Sequence, residues 1–479
     1  MVSITRRRFI AYSAGFAGLP HPLRALADRG EGFEPPAPDA AAVRKLASRT
    51  AGRVITPDSP DYELSRLVFN RAFDKHPALI VRCANADDIA RALVFAQDQD
   101  LPVAVRGGGH SRAGLSTCDG GVLIDLSAMN RVDVDAGGRI ARAQGGALTI
   151  HVDTATQRFG LATTLAGCPT VGIAGLTLGG GMGLLMAKYG AACDNLISAQ
   201  LVTADGRFVE ADRNSNPDLF WAIRGGGGNF GVATALAYRL HPVANVVSGK
   251  LAYPAGQAQQ LIEAFVKFVM TAPEEMRALA SLISSERGPR FQISLCHLGD
   301  PHEADELLGP MRALKPEEDS VRATSYLVTQ TTLFAAAPIA HFQTTLFLPE
   351  LSAATIETLK AAASDAPPGT RVFIAPIDGA VTRVRLTDTA FPLRQRGFEL
   401  DIMGAWAAAT DRSRAVRWVE TLRDNLKPLA RGLYVNQLGE TSEDLVRTAY
   451  GANYARLAAI KKKYDPHNIL RSNQNIVPA

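Results

Sequence analysis

Near the start of the chain, the pattern of apolar and polar positions predicts a strand, a helix and a second strand in that order. Residues 78–81 and 102–106 are short apolar runs, which is typical of buried strands. Between these runs, apolar side chains recur at helical spacing behind Asn85, a residue type that caps helix N-termini. The unit ends at residues 107–111, where three glycines in a row predict a turn with free backbone amides.

Further along the chain, strand patterns alternate with two more glycine-rich segments. Apolar runs predict strands at 121–126, 196–203 and 232–240, and a helical pattern covers 148–159. Glycines are concentrated at 167–183, where they are too frequent for a regular helix, and at 225–228. Because free amides hold pyrophosphate well, we expect the three glycine segments together to line a bound dinucleotide.

The distribution of glycine along the chain changes near residue 245. Up to that point glycine clusters are frequent, and beyond it helical and strand patterns alternate without them. A chain of 479 residues also exceeds one ordinary hydrophobic core. We therefore predict a first domain over residues 28–245, a second domain over 246–431, and a C-terminal segment over 432–479.

The C-terminal segment carries one predicted helix with an apolar side. Tyr450, Tyr454 and Leu457 lie on one face at helical spacing. Thr441 and Asp444 have the spacing of a capping box at its start. At its end, the lysine run 461–463 is expected to complement the helix dipole.

The first 27 residues are typical of an export signal. Arg6 and Arg7 precede a short apolar stretch that extends to Leu19, and a small-residue cleavage pattern follows at 25–27. Paired arginines at this place are typical of the twin-arginine address. The apolar stretch is short for a transmembrane helix, which needs about 20 residues. We therefore expect a periplasmic or secreted protein that leaves the membrane once the signal is cleaved.

Composition narrows the function classes. The formal net charge of +4 is small for this length and the basic residues are scattered, which disfavours a nucleic-acid partner. The five cysteines show no C-x-x-C spacing and no neighbouring histidine pair, so no metal site is predicted. The turn at 107–111 lacks the third glycine of the Rossmann fingerprint, which disfavours a nicotinamide dehydrogenase.

Several sequence motifs together point to one family. They are VRGGGHS at 105–111, GCPTVG at 167–172 with LGGG at 178–181, DLFWAIRGGGGNFG at 218–231, and YDPHNIL at 464–470 with NQNI at 473–476. In this order they resemble the berberine bridge enzyme-like FAD-linked oxidases. The resemblance covers nearly the whole chain after residue 27, and it is specific for fold and cofactor but not for substrate.

The resemblance implies an α+β fold of the PCMH type and a covalently bound FAD. Such a fold has a two-subdomain FAD-binding domain, an inserted substrate domain with an antiparallel sheet, and a C-terminal segment that returns to the FAD domain. In the family, a histidine bonds the 8α carbon of the flavin and a cysteine bonds C6; here these are His110 and Cys168. Further cofactor contacts are expected at Arg106, Gly107, Gly108, Gly109, Ser111, Val171, Gly172, Gly175, Leu178, Gly179, Gly180, Gly228, Asn229, Phe230, Gly231, Asn473 and Asn475.

The activity implied is hydride transfer from a small hydroxylated molecule, such as a sugar or secondary metabolite, to the flavin. Val171 stands where the family faces the flavin, and a small side chain there is similar to oxidases, although ordinary apolar packing also explains a valine. We therefore expect oxygen as the electron acceptor and hydrogen peroxide as a product. The alternatives are a dehydrogenase with another acceptor, and a flavin-bearing binding protein that has lost catalysis.

The resemblance breaks at the position of the catalytic base. Many relatives carry YVNY where this chain has YVNQ at 434–437, and the Gln437 amide cannot take a proton at neutral pH. Leu393 likewise stands where relatives often carry histidine. The base therefore has to come from another residue.

Three other residues are candidates for that base. Glu399 and Asp401 alternate along a predicted strand over 398–406, so both side chains lie on one face. A carboxylate beside the flavin would have a raised pKa and serve as a base, whereas a solvated strand face would leave both without a catalytic role. Tyr434 is the third candidate.

Overall fold

The computed structural model describes residues 37–286 and 288–479, and its strands form three sheets and one two-stranded ribbon. The predicted export signal lies outside the described residues. Within the described residues, no helix is long and apolar enough to cross a membrane. The mixture of helices with largely antiparallel sheets confirms the predicted α+β class.

The first sheet contains β1 (Arg53–Ile55), β2 (Leu79–Arg82), β3 (Val103–Arg106) and β4 (Val122–Asp125). Its order is β1-β2-β4-β3, with β1 antiparallel to β2 and the other three strands parallel. Three helices accompany it: α1 (Ala40–Arg49), α2 (Tyr62–Ser65) and α3 (Ala86–Asp98). Asn85 accepts a hydrogen bond from the Asp88 amide at the start of α3, which confirms the predicted strand, helix and strand.

The next seven strands are β5 (Val132–Asp135), β6 (Ile140–Gln144), β7 (Leu161–Ala162), β8 (Leu196–Val202), β9 (Phe208–Ala211), β10 (Val232–Arg239) and β11 (His241–Pro242). Five of them form the antiparallel sheet β5-β6-β10-β8-β9, while β7 and β11 pair with each other. The helices here are α4 (Thr149–Thr156), α5 (Ile173–Leu178), α6 (Met186–Tyr189) and α7 (Pro217–Ala222). The expectation that residues 167–183 are too rich in glycine for a helix is wrong for α5.

The third sheet contains β12 (Asn245–Pro254), β13 (Met276–Ser285), β14 (Gly288–His297), β15 (Glu318–Asp319), β16 (Arg322–Ser325), β17 (Ala340–Leu348), β18 (Thr370–Ile377) and β19 (Gly397–Trp406). Its order is β15-β12-β14-β13-β18-β19-β17, with β16 also on β12, and all pairs are antiparallel. The helices that follow and separate these strands are α8 (Ala258–Thr271), α9 (Pro301–Arg312), α10 (Tyr326–Thr332), α11 (Ala353–Ser364), α12 (Ala380–Arg383) and α13 (Arg412–Leu426).

The two faces of the third sheet differ in chemistry. Along β19, Phe398, Leu400 and Ile402 are buried in the apolar core, where α13 packs against the strand. Glu399 and Asp401 alternate with them and point to the opposite face. Helices therefore pack on the apolar face of the sheet, and the polar face is available for a functional site. The division into domains at residues 245 and 431 stays a prediction.

The C-terminal segment contains two helices rather than the single predicted one. These are α14 (Glu443–Tyr450) and α15 (Tyr454–Tyr464), and the chain between them passes through Gly451 with a φ of +52°. Glycine adopts this left-handed backbone at little cost, which explains the break. The predicted capping box of Thr441 and Asp444 is also wrong, because Ser442 caps α14 by accepting a hydrogen bond from the Leu445 amide.

Lys461 is not part of a solvated lysine run that only complements a helix dipole. Its side chain is fully buried and its Nζ lies 2.6 Å from Asp465, with further hydrogen bonds to the carbonyls of Asn229 and Leu470. Asp465 also accepts hydrogen bonds from the amides of residues 469 and 470. This buried pair fixes the end of the chain against the glycine segment at 225–231.

Candidate active site

A cavity of about 620 Å³ lies between the glycine-rich loops and the polar face of the third sheet. The loops at 107–112 and 166–172 form one wall, and side chains of β13, β18 and β19 form the opposite wall. Residues 434–438 and 472–474 of the C-terminal segment close the remaining side. The cavity therefore depends on parts of the chain that are distant in sequence.

Glycines bring the first two loops into direct backbone contact. A Cβ atom at Gly108 would clash with the amide nitrogen of Gly172, and a Cβ at Gly172 would clash with that of Gly108. Only a residue without a side chain allows this approach at either position. The contact sets the loop that carries His110 beside the loop that carries Cys168.

His110 and Cys168 meet at a single hydroxyl group. Thr170 Oγ1 lies 2.9 Å from His110 Nε2 and 3.4 Å from Cys168 Sγ. The ring of Phe69 stacks on the imidazole with centroids 3.9 Å apart, which fixes its plane. Both predicted attachment residues thus line the same rim of the cavity.

The two side chains have the properties that attachment to an electron-poor ring requires. Burial, together with the positive charges of Arg112 and His341, lowers the pKa of His110 to about 3, so its imidazole is neutral at physiological pH. All five cysteines lie in the described part of the chain, and Cys168 alone among them is not buried. The alternative of an inert, buried thiol is therefore wrong for Cys168.

The walls fit an FAD molecule. The amide N–H groups of residues 108–111 donate to no acceptor among the described residues, so they remain free for a pyrophosphate. Gly175 faces open space, since a Cβ added there would have no atom within 4 Å. Neutral imidazole and an accessible thiol at one rim complete a donor set suited to the 8α and C6 positions, which lie on the same ring of the flavin.

Most of the predicted cofactor residues line this cavity. They are Gly107, Gly108, Gly109, His110, Ser111, Cys168, Val171, Gly172, Gly175, Leu178, Gly228, Gly231 and Asn473. The remaining predicted residues lie behind the wall, namely Arg106, Gly179, Gly180, Asn229, Phe230 and Asn475. For this second group, contact with the cofactor stays a prediction.

The residues behind the wall support it in identifiable ways. Arg106 forms an ion pair with buried Asp125 at 2.9 Å. Asn229 donates to the carbonyl of Gln474 at 3.1 Å and so connects two motifs that are far apart in sequence. Phe230 is fully buried in the apolar core. These residues therefore have a role in supporting the wall of the cavity.

Glu399 and Asp401 lie on the cavity side of β19 and are almost fully buried, so the alternative of a solvated strand face is wrong. Burial, followed by the nearby charge of Asp401, raises the pKa of Glu399 to about 8. Thr345 on the neighbouring strand donates a hydrogen bond to Glu399 at 2.6 Å. Glu399 therefore carries a proton at neutral pH.

Asp401 is the more available of the two carboxylates. Its Oδ1 is buried and has no hydrogen-bond partner among the described residues. Burial raises its pKa, while the positive charges of Arg371 and Arg112 act in the opposite direction. An unpaired carboxylate oxygen in a cavity is suited to accept a proton.

Tyr434 is not suited to act as a base. Its hydroxyl oxygen accepts hydrogen bonds from the amides of Gly181 and Met182 at 3.1 and 3.3 Å, and from Asn436 at 2.9 Å. Burial raises the pKa of this phenol further above its ordinary value. Tyr434 instead ties the C-terminal segment to the glycine loop.

The contacts of Gln437 and Leu393 also indicate a structural role for these two residues. Gln437 Oε1 accepts hydrogen bonds from Arg112 at 3.1 Å and from Gln343 at 2.6 Å, so its amide orients Arg112, which lines the cavity. Leu393 is buried in an apolar cluster with Phe391 and does not line the cavity. Neither position supplies a proton acceptor.

Sequence reasoning missed several polar residues of the site. Thr170, Arg112, His341, Gln343 and Arg371 were not singled out, although Arg112, His341 and Arg371 line the cavity. Arg112 lies two residues after His110, and Thr170 lies inside the CPTV motif. His341, Gln343 and Arg371 lie on strands. Polar or charged side chains at every second residue of a buried strand indicate a polar site in the interior, because such groups are costly to bury without partners.

Two family models match the chain. The model described as "FAD binding domain" matches residues 77–212, and the model described as "Berberine and berberine like" matches residues 433–477. The first match includes the His110 and Cys168 loops, and the second includes the C-terminal wall of the cavity.

Curated relatives match over nearly their whole length. An uncharacterized FAD-linked oxidoreductase of Bacillus subtilis is 31% identical over 451 residues, which cover 90% of this chain and 99% of the relative. The (R)-6-hydroxynicotine oxidase of Paenarthrobacter nicotinovorans is 30% identical over 454 residues, which cover 89% and 97% respectively.

Solved structures have the same fold. The 6-hydroxy-D-nicotine oxidase of Arthrobacter nicotinovorans superposes with a TM-score of 0.83 at 26% identity, covering 90% of this chain and 98% of that one. The BBE-like 1 protein of Physcomitrella patens gives the same TM-score at 21% identity, over 91% of this chain and 99% of that one, and so shows the fold alone. With its motifs, its cavity and these relatives in agreement, the chain belongs to the berberine bridge enzyme-like family of FAD-linked oxidoreductases.

Proposed function

We propose that this protein binds FAD through two covalent bonds, to His110 and Cys168, and oxidises a small hydroxylated molecule with oxygen as the acceptor. The observation that carries the proposal is the meeting of these two side chains at the Thr170 hydroxyl, on one rim of a cavity with free backbone amides. When bound, FAD supplies the acceptor for a hydride from substrate carbon and passes the electrons to oxygen as hydrogen peroxide.

Asp401 is the proposed base in this reaction. Its unpaired Oδ1 receives the proton of the substrate hydroxyl, which makes the adjacent C–H bond a better hydride donor. Protonated Glu399 avoids a second negative charge beside it. Burial raises the pKa of Asp401, which makes it a stronger base, and the positive charges of Arg371 and Arg112 partly oppose this shift by favouring its ionised form.

The proposed substrate is a sugar or a secondary metabolite. One relative that covers nearly the whole chain is an oxidase of (R)-6-hydroxynicotine. The paired arginines at Arg6 and Arg7 motivate the further proposal that the protein acts in the periplasm or outside the cell.

Acid precipitation of the purified protein tests the covalent bonds. We expect yellow colour and in-gel flavin fluorescence to stay with the denatured chain, and the Cys168→Ala variant to keep only the histidine link. Cys296→Ala is a matched control, because Cys296 is buried away from the cavity. Release of all flavin into the acid supernatant would overturn the bicovalent proposal.

The acceptor needs a separate measurement. With a substrate that bleaches the flavin anaerobically, we expect admission of air to restore its absorbance quickly and to yield one hydrogen peroxide for each oxygen consumed. Slow recovery in air, with fast recovery on adding a quinone or dye, would assign the protein as a dehydrogenase instead.

A further inference from the structure

The cavity contains more positive than negative side chains. Three cations project from its sheet wall, Lys250, Arg277 and Arg371, and Arg112 joins them from the opposite loop. The only carboxylates on its walls are Glu399 and Asp401 among the described residues, and Glu399 is protonated at neutral pH. The space next to the sheet therefore favours an anion.

Arg371 is a cation of the cavity wall whose charge acts on Asp401 without forming an ion pair with it. It forms no ion pair within residues 37–286 and 288–479, and its Nε is buried without a hydrogen bond. Its contacts there are weak, since Nη2 lies 3.9 Å from Met403 Sδ and the guanidinium lies 5.7 Å from the centre of the Phe373 ring. By contrast, Arg277 is paired with Asp378 at 3.5 Å. Arg371 is half-buried as a residue, but a buried guanidinium nitrogen without a hydrogen bond is costly unless a ligand completes it.

Arg371 lies close to the proposed base. In the register of β18 and β19, Phe373 pairs with Asp401, and Arg371 is two residues away from Phe373 on the same face. Diagonal neighbours of this kind have Cα atoms about 7–8 Å apart. A small molecule that presents its hydroxyl to Asp401 therefore extends within reach of the Arg371 guanidinium.

The location of Arg371 separates it from the proposed pyrophosphate site. Arg371 belongs to the third sheet, whereas the free amides of residues 108–111 belong to the loop that follows the first sheet. The positive charge of Arg371 on the sheet wall is therefore available to the substrate, which is the other molecule that the cavity would bind.

We infer that the substrate of this protein carries a carboxylate group, which binds the guanidinium of Arg371 while the carbon to be oxidised lies beside Asp401. The planar guanidinium presents two parallel N–H donors that match the two oxygens of a carboxylate. This inference rests on the proposed oxidase function and specifies its substrate class.

A pair of probes that differ only in charge tests the inference on the flavin-loaded protein. The probes are 4-(hydroxymethyl)benzoate and its neutral amide, 4-(hydroxymethyl)benzamide. Binding is read from the change in flavin absorbance on titration, which requires no turnover. We expect the carboxylate to bind at least about tenfold more tightly than the amide, and added salt to weaken only the carboxylate.

Two variants assign the preference to one residue. In Arg371→Gln the preference for the carboxylate is expected to disappear, and Arg371→Lys is expected to keep part of it, because lysine retains the charge without the two-pronged geometry. Arg290→Gln is the matched control, since Arg290 lies on the same sheet but pairs with Glu318 at 3.0 Å and does not line the cavity.

The possible failures are distinguishable. Equal affinity for both probes in a flavin-loaded, folded protein would overturn the carboxylate inference and leave the oxidase proposal intact. Loss of flavin from Arg371→Gln would show that this arginine holds the cofactor, which also overturns the inference. A protein that binds no flavin at all would overturn the proposed function itself.

Discussion

The hydroxyl of Thr345 donates a hydrogen bond to Oε1 of Glu399 at 2.6 Å, across the pairing of β17 with β19. This bond favours the ionised carboxylate, yet burial and the charge of Asp401 outweigh it and raise the pKa of Glu399 to about 8. Ionisation of one carboxylate therefore disfavours ionisation of the other, and the two titrate as a pair.

The carboxylate of Glu399 should make the protein less stable as pH rises. Because Glu399 holds its proton up to a pKa of about 8 when folded, and releases it near its ordinary value of 4.5 when unfolded, the native state binds more protons between these values. The free energy of unfolding therefore decreases from pH 4.5 to pH 8 for this group. Urea unfolding of Glu399→Gln and the parent at several pH values measures the difference, and parallel curves would contradict it.

Asp401→Asn should remove most of the activity without removing the flavin. An amide cannot take the substrate proton, and loss of a general base costs about 10²–10⁴-fold in rate. The measurement is the anaerobic rate of flavin bleaching by substrate, with flavin content determined on the same sample. A bleaching rate within a factor of a few of the parent would assign the base elsewhere.

Thr170→Val should slow covalent attachment of FAD. The hydroxyl holds both His110 and Cys168, and losing a hydrogen bond of about 1 kcal/mol corresponds to about a fivefold change in rate. Incubation of flavin-free protein with FAD, followed by acid precipitation and in-gel fluorescence, gives the rate. Thr170→Ser keeps the hydroxyl and should behave as the parent does. If serine and valine are equally slow, the methyl group rather than the hydroxyl is responsible.

Val171→Ile should slow the reaction with oxygen selectively. Val171 lines the cavity three residues after Cys168, and a longer side chain there would fill space beside the ring. We expect recovery of flavin absorbance in air to slow by about tenfold, equivalent to about 1.4 kcal/mol of barrier, while anaerobic bleaching is unchanged. Equal slowing of both steps would instead indicate a general disturbance of the site.

Lys461→Met should strongly destabilise the fold. The substitution leaves the fully buried Asp465 without its cation, and breaking a buried pair in this way costs about 3–5 kcal/mol. Lys462→Met is the matched control, because Lys462 is exposed and surface changes of this kind stay within about 0.5 kcal/mol. Denaturant unfolding of both variants measures the contrast, and similar midpoints would contradict the structural role of the pair.

Local patterns in the sequence were sufficient for much of the fold. The unit β2, α3 and β3 follows from apolar runs and one capping asparagine, and the alternation of Glu399 and Asp401 correctly placed both on one face. Alternation does not say whether that face meets solvent or a cavity, because this depends on loops more than 200 residues earlier in the chain. The burial of the two carboxylates therefore required the structure.

Other features could not be predicted from the sequence for a similar reason. Lys461 was grouped with its lysine neighbours. The local sequence does not distinguish a lysine that is buried and paired with an aspartate one helical turn away from a lysine in solvent. Arg106 and Phe230 were assigned to the ligand because they lie in motifs, whereas their side chains support the wall from behind. A motif therefore contains residues that support a site as well as residues that line it.

Residues 434–438 and 472–474 close one side of the cavity, and they belong to the last tenth of the chain. A nascent chain still attached to the ribosome therefore lacks one wall of the cavity. We expect stable loading of the cofactor only after synthesis ends and the tail has docked. Proteolytic trimming of this tail would widen the opening of the cavity to water, even though both proposed attachment residues would remain in the chain.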